Sequence, residues 1–158
     1  MLRIFPLIAC LSLVACGEAP VDIAASDAPP IATQAAVVQG EFGSLMNNAR
    51  AAAGLPAATP DARLAAAAQA HADDMVRQGY FSHTGQNGSQ FTDRMRAAGY
   101  SSCNPSENIA GGQGSEAAVF ESWMGSSAHR ANILLPGTVQ YGLGRAADTW
   151  VLLVARVC

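Results

Sequence analysis

The chain has 158 residues, half of them apolar, and a formal net charge of -3; all nine of its basic residues are arginines. That length suits one domain with a sizeable core. The arginines are scattered rather than clustered, which leaves no electrostatic footprint for a nucleic acid.

Arg3 supplies a positive start, Ile4 to Val14 are apolar apart from Pro6 and Ser12, and Leu13-Val14-Ala15-Cys16 closes the run with a small residue before a cysteine. The run ends at Gly17 and Glu18, short of the about 20 residues a spanning helix needs. Residues 1–15 therefore read as an export signal and Cys16 as a lipidated residue that binds the chain to a bilayer; an ordinary secretory signal with an incidental cysteine is the alternative. The pattern resembles bacterial lipoproteins, and Gly17 after the cysteine resembles those sorted to an outer membrane, which is the expected location if the host is diderm. Removing the signal discards Cys10 and lipidation occupies Cys16, so Cys103 and Cys158 remain. In an oxidising compartment these two are expected to pair and to constrain the unfolded chain by ~4 kcal/mol, with two free thiols as the alternative. No CxxC or Cys/His cluster of zinc spacing occurs.

Residues 16–38 are rich in Ala, Pro, Asp and Ser, including Pro20, Pro29 and Pro30, and read as a flexible tether. A domain is expected over 39–158. Phe42, Leu45, Met46 and Ala49 predict a first helix ending at Gly54, with Pro56 preventing its continuation. Pro60 and Asp61 open a second, with Leu64, Ala67, Ala68, His71 and Met75 on its apolar face and Gly79 as its stop. The following segment, Tyr80 to Gly88, contains an Asn-Gly turn signal and puts His83 on a loop. Phe91, Arg94, Met95 and Ala98 predict a short third helix ending at Gly99. Val119, Phe120, Trp123 and Met124 predict a fourth ending at Gly125, and a further helical turn carries His129 to Leu134. After Pro136, Val139, Tyr141 and Leu143 alternate, and Trp150 to Val157 is apolar, so a terminal antiparallel hairpin turns at Ala146 to Thr149. The fold class is α+β.

No GxSxG, HExxH, phosphate-binding glycine loop or internal repeat is present. The chemistry left to a charge-poor domain lies in its three histidines, His71, His83 and His129, and in Glu107, set between Ser106 and Asn108.

These residues sit in motifs that resemble a known family. Asn47...Arg50...Gly54-Leu55, Leu64...Ala68...His71-Ala72...Asp74-Met75, Phe81-Ser82-His83, Arg94...Gly99-Tyr100, Glu107-Asn108-Ile109-Ala110, Trp123-Met124...Ser127-Ala128-His129-Arg130...Asn132-Ile133-Leu134 and Gly142-Leu143-Gly144 occur in the order of the bacterial branch of the CAP superfamily. Its relatives are cysteine-rich secretory proteins, antigen-five proteins and pathogenesis-related proteins of group one. The resemblance spans essentially all of 39–158 and implies a three-layer α-β-α sandwich.

It also implies a cleft built on two His and two Glu, three of which fall on His83, Glu107 and His129. The second Glu would fall at Ser126, after Trp123, so a mechanism that needs paired carboxylates loses a partner here. Asn108 matches the family's Asn beside the first Glu and reads as a loop-fixing hydrogen-bonder. The trio leaves three readings open. One is a divalent metal site, zinc or magnesium, on His83 and His129, with Glu107 as a third ligand and water at the fourth place. Another is a hydrogen-bonded cluster in which Glu107 orients one imidazole. The last is acid-base catalysis. His71 reads as a core histidine, with lining of the cleft as the alternative; Tyr80, Phe81 and Trp123 read as core or cleft wall. Ser126 and Ser127 near His129 offer a hydrolase reading without an oriented base.

A CAP fold does not fix an activity. The leading expectation is a monomeric, membrane-anchored extracytoplasmic module that binds a lipid, peptide or other ligand at its cleft without catalysis. A hydrolase of peptide or envelope material, and a structural or adhesion protein with a vestigial cleft, are the competing classes.

Overall fold

The computed structural model describes residues 31–156, with side chains from Gly40 to Arg156. The segment read as an export signal, Cys16, the segment read as a tether as far as Pro30, and Cys158 lie outside the described residues.

A four-stranded sheet is built from β1 (Thr59–Pro60), β2 (Ser106–Gly111), β3 (Gln140–Ala146) and β4 (Thr149–Ala155) in the order β1-β3-β4-β2. β3 and β4 form the expected hairpin, β2 adds antiparallel to β4, and β1 pairs parallel with β3. Helices α2 (Ala62–Gln78) and α3 (Phe91–Ala97) cover one face, while α1 (Ile31–Ala52), α4 (Glu116–Gly125) and α5 (Ser127–Ile133) cover the other. The domain is thus an α-β-α sandwich. The first turns of α1 fall in the segment read above as tether; Ile31–Gln39 contains neither Gly nor Pro to stop a helix.

Each boundary has a local cause. Asp61 caps α2 by accepting from the backbone N–H groups of Arg63 and Leu64, and Gly79 ends it in the left-handed conformation at φ 68°. Asp93 accepts from the N–H of Gln90 to start α3. Ser115 caps α4 through Ala118.

Both faces of the hairpin are buried, which changes what its alternation means. Tyr141 and Leu143 enter the α1, α4 and α5 side with Phe42, Met46, Trp123 and Ile133. The intervening residues are Gly142 and Gly144, and a Cβ on Gly142 would lie 2.2 Å from the backbone of Leu64 and Ala65. Glycine lets α2 lie directly on β3. Val151 and Leu153 of β4 join Leu64, Ala68, Met75 and Met95 on that side.

Arg50, fully buried at the end of α1, ties the α1 layer to the chain after α5. Its Nε donates to the carbonyl of Pro56 (2.9 Å), Nη1 to those of Ile133 (2.9 Å) and Leu135 (3.3 Å), and Nη2 to that of Thr138 (3.0 Å). Four carbonyl dipoles replace the water that burial removes, although burial still holds the guanidinium below its ordinary range.

Candidate functional site

β2 is an edge strand and carries the polar pair Glu107-Asn108 at positions that face opposite sides of the sheet. Glu107 faces the α2 and α3 side, and its carboxylate is 1% exposed. One oxygen accepts from His83 Nδ1 at 2.8 Å and the other from Arg94 Nη2 at 2.7 Å. A carboxylate accepts only, so His83 carries its proton on Nδ1 and turns Nε2 outward; its side chain is 52% exposed.

Arg94, on α3, is what makes a buried carboxylate tolerable, since a buried charge survives only when paired. The same guanidinium donates to the carbonyls of Ser89 (2.9 Å) and His83 (3.0 Å), which holds the loop after α2 against the start of α3. In the sequence Arg94 reads as a position of the third helix and of an Arg94...Gly99-Tyr100 motif, with no role at the site. The signal for its role was there: Phe91, Arg94, Met95 and Ala98 lie on one face, and a charge on an apolar stripe requires a partner.

Asn108 faces the other layer. Its Nδ2 donates to the carbonyl of His129 (3.0 Å), and its Oδ1 accepts from Asn132 Nδ2 (2.8 Å), which also reaches the carbonyl of Glu107 (3.3 Å). Asn108 therefore ties β2 to α5, with Asn132 as its partner. Among the described residues the His129 imidazole, half-buried on α5, makes no hydrogen bond or ion pair. Ser126 is the N-cap position of α5 and brings no carboxylate to the place where the family's second Glu would stand. Trp123 is core, donating to the carbonyl of Ile109 at 3.3 Å. Phe81, on the loop that carries His83, is 56% exposed, and a Cβ on Gly111 would lie 3.5 Å from its ring.

The donor set does not fit the three-ligand metal site, which corrects that reading of the trio. Both oxygens of Glu107 are committed, one of them to an arginine cation, and among the described residues no group of three or more His, Cys, Asp or Glu is arranged to hold a metal. Only the outer nitrogen of His83 and the His129 imidazole remain as donors, one fewer than an open zinc site takes. A separate cavity of about 300 Å³ lies against α3, lined by Thr92, Met95, Arg96, Tyr100, Ser102 and neighbours, and none of the expected site residues lines it.

Comparison with known proteins places these observations. The family model for CAP, the cysteine-rich secretory protein family, matches residues 44–152. The chain belongs to that family. No curated protein sequence matches it. Among solved structures it is similar to an extracellular protein containing an SCP domain from Bacillus anthracis, with 27% identity and a TM-score of 0.71, covering 73% of this chain and 39% of that one. It is similar in fold to an outer surface protein from Borrelia burgdorferi (20% identity, TM-score 0.69, 76% of this chain and 96% of that one). The same holds for a cysteine-rich secretory protein from Staphylococcus aureus (16% identity, TM-score 0.65, 88% and 41%). The chain thus spans about two fifths of the Bacillus and Staphylococcus chains.

Proposed function

We propose that this chain is an exported CAP-domain module, anchored to a bilayer through Cys16, that binds its ligand at the His83 face without turning it over. The observation that carries the reading is the His83–Glu107–Arg94 triad. Glu107 and Arg94 satisfy each other's charge and fix the imidazole, leaving one nitrogen acceptor at the surface, on the loop that also carries the exposed Phe81, whose ring lies toward Gly111 at the far end of β2. These two features suit an elongated ligand that offers an O–H or N–H donor to His83 and an apolar part to Phe81, such as a lipid alcohol or a peptide. Among the described residues no nucleophile is bonded to His83, and the second carboxylate is missing, which favours binding over catalysis.

Export is supported by the apolar segment and by the extracellular and surface descriptions of the Bacillus and Borrelia proteins. Among the described residues no helix is long and apolar enough to cross a membrane. The Cys103–Cys158 bridge is part of the proposal. Cys103 is disulfide-bonded, and its backbone N–H and the Ser102 hydroxyl both donate to the carbonyl of Arg156, two residues before Cys158.

One experiment tests the binding reading. Amide spectra of the mature chain are followed through titration with dodecanol, the peptide Gly-Tyr-Gly and zinc chloride, beside His83→Ala. Shifts at Phe81 and His83 with dodecanol or the peptide, lost in the variant, are expected. Stoichiometric zinc binding that depends on His83 and His129, or no response to any probe, overturns it. The second reading, a hydrolase, rests on the same dyad, because a carboxylate-oriented imidazole is also how a general base is held.

A further inference from the structure

The buried face of α2 carries a histidine that packing alone does not require. His71 is 1% exposed, and its Nε2 lies 2.9 Å from the carbonyl oxygen of Ser82. A carbonyl only accepts, so Nε2 carries the proton and Nδ1 is a bare acceptor. That Nδ1 is buried and has no partner among the described residues. Burial, reinforced by the Arg94 charge and opposed by that of Glu107, holds the ring below its ordinary pKa and keeps it neutral. An unsatisfied buried acceptor costs stability that a leucine of similar volume would not. The contribution of His71 is therefore to be sought at its other nitrogen.

The carbonyl it holds immediately precedes His83. The next carbonyl, that of His83 itself, accepts from Arg94 Nη2, the nitrogen that also grips Glu107. The Ser82–His83 segment is thus clasped from α2 on one side and α3 on the other. Tyr80 secures the start of the loop, its hydroxyl donating to Asp74 at 2.6 Å and its ring lying edge-on to His71.

We propose that His71 is the positioning residue of the site: its fixed Nε2–H sets the Ser82–His83 backbone so that the His83 Nδ1–H meets Glu107. The inference deepens the reading of His83 as the binding group, but its geometry is tested with no ligand present. It requires the two histidines to hold opposite tautomers, His71 protonated on Nε2 and His83 on Nδ1.

Long-range imidazole 1H–15N spectra of the full chain read both tautomers directly. In the wild type each ring is expected in its single assigned form. His71→Gln keeps an N–H donor near the place of Nε2, and His83 is expected to remain protonated on Nδ1. In His71→Leu, His83 is expected to show the averaged tautomers of a free imidazole while unfolding stays cooperative. A single Nδ1–H form of His83 in folded His71→Leu overturns the proposal. So does an averaged His83 in folded His71→Gln, which decides the matter if the leucine variant does not fold. Failure of the ligand titrations with these tautomers intact would sink the binding reading alone.

Discussion

Arg94→Met removes the cation from a carboxylate that is 1% exposed and leaves His83, among the described residues, as the only side chain bonded to it. Breaking one side of a buried pair costs about 3–5 kcal/mol, because the remaining charge stays buried without compensation. Here the retained His83 hydrogen bond argues for the lower end. The carbonyls of Ser89 and His83, also released, belong to an accessible loop where water replaces the guanidinium, so they add little. A loss of about 3 kcal/mol in a domain of this size lowers Tm by about 10 °C. Urea unfolding followed by circular dichroism gives the free energy, with an unchanged m-value required for the comparison. Arg94→Met combined with Glu107→Leu removes both charges and is expected to return to within about 1 kcal/mol of the wild type. A single variant that loses less than about 1 kcal/mol, as an exposed pair would, refutes the account of a buried ion pair; so does a double variant less stable than the single one.

Three further outcomes follow from the packing. Arg50→Lys keeps a charge but not the planar fork that reaches four carbonyls, so thermal unfolding should report a loss of about 2 kcal/mol or more. Gly142→Ala sets a methyl group 2.2 Å from the α2 backbone, which cannot yield as a flexible side chain could, and a loss of about 3 kcal/mol or more is expected by the same measurement. Glu116, on α4, accepts from the N–H of Phe42, and burial holds its carboxyl above the ordinary glutamate value while Glu41 adds to the rise and Arg145 opposes it. A group whose folded pKa is raised favours folding below its unfolded pKa and loses that contribution as pH rises through the folded value. Glu116→Gln, which still accepts from Phe42, should therefore raise Tm near neutral pH and lose that advantage below the carboxylate range. A pH series of Tm for the two proteins checks it.

The helices were legible because their signals are local. Asp61 and Gly79 bound α2 as a cap and a stop should, and Gly99 and Gly125 stand where α3 and α4 were expected to end. The hairpin was legible from its apolar run. β2 was not, because Ser106-Glu107-Asn108 is polar and a strand so short declares itself only by pairing with β4, a contact no local pattern encodes. The site follows the same division. His83 and Glu107 could be named from motifs, whereas the charge that stabilises their contact comes from Arg94, whose sequence signal was a lone cation on an apolar helix face. His71 looked like core and is core; that it also holds Ser82 depends on how the loop returns over α2. Of the three readings left open for His83, Glu107 and His129, the three-ligand metal site has no matching group among the described residues, since both Glu107 oxygens are taken by His83 and Arg94. That division was not local either: Glu107 and Asn108 are adjacent on a strand and face opposite sides of the sheet, so Glu107 meets His83 while Asn108 binds the backbone of His129.

The central claim is that the His83 face binds and does not catalyse, and turnover tests it most directly. The mature chain and its His83→Ala variant are incubated with a fluorogenic peptide library and with short-chain nitrophenyl esters, and release of product is followed. The account predicts that neither protein exceeds the buffer rate on any substrate, while His83-dependent shifts with dodecanol or Gly-Tyr-Gly persist under the same conditions. Product release by the wild type that disappears in His83→Ala would contradict it and make the dyad a general base.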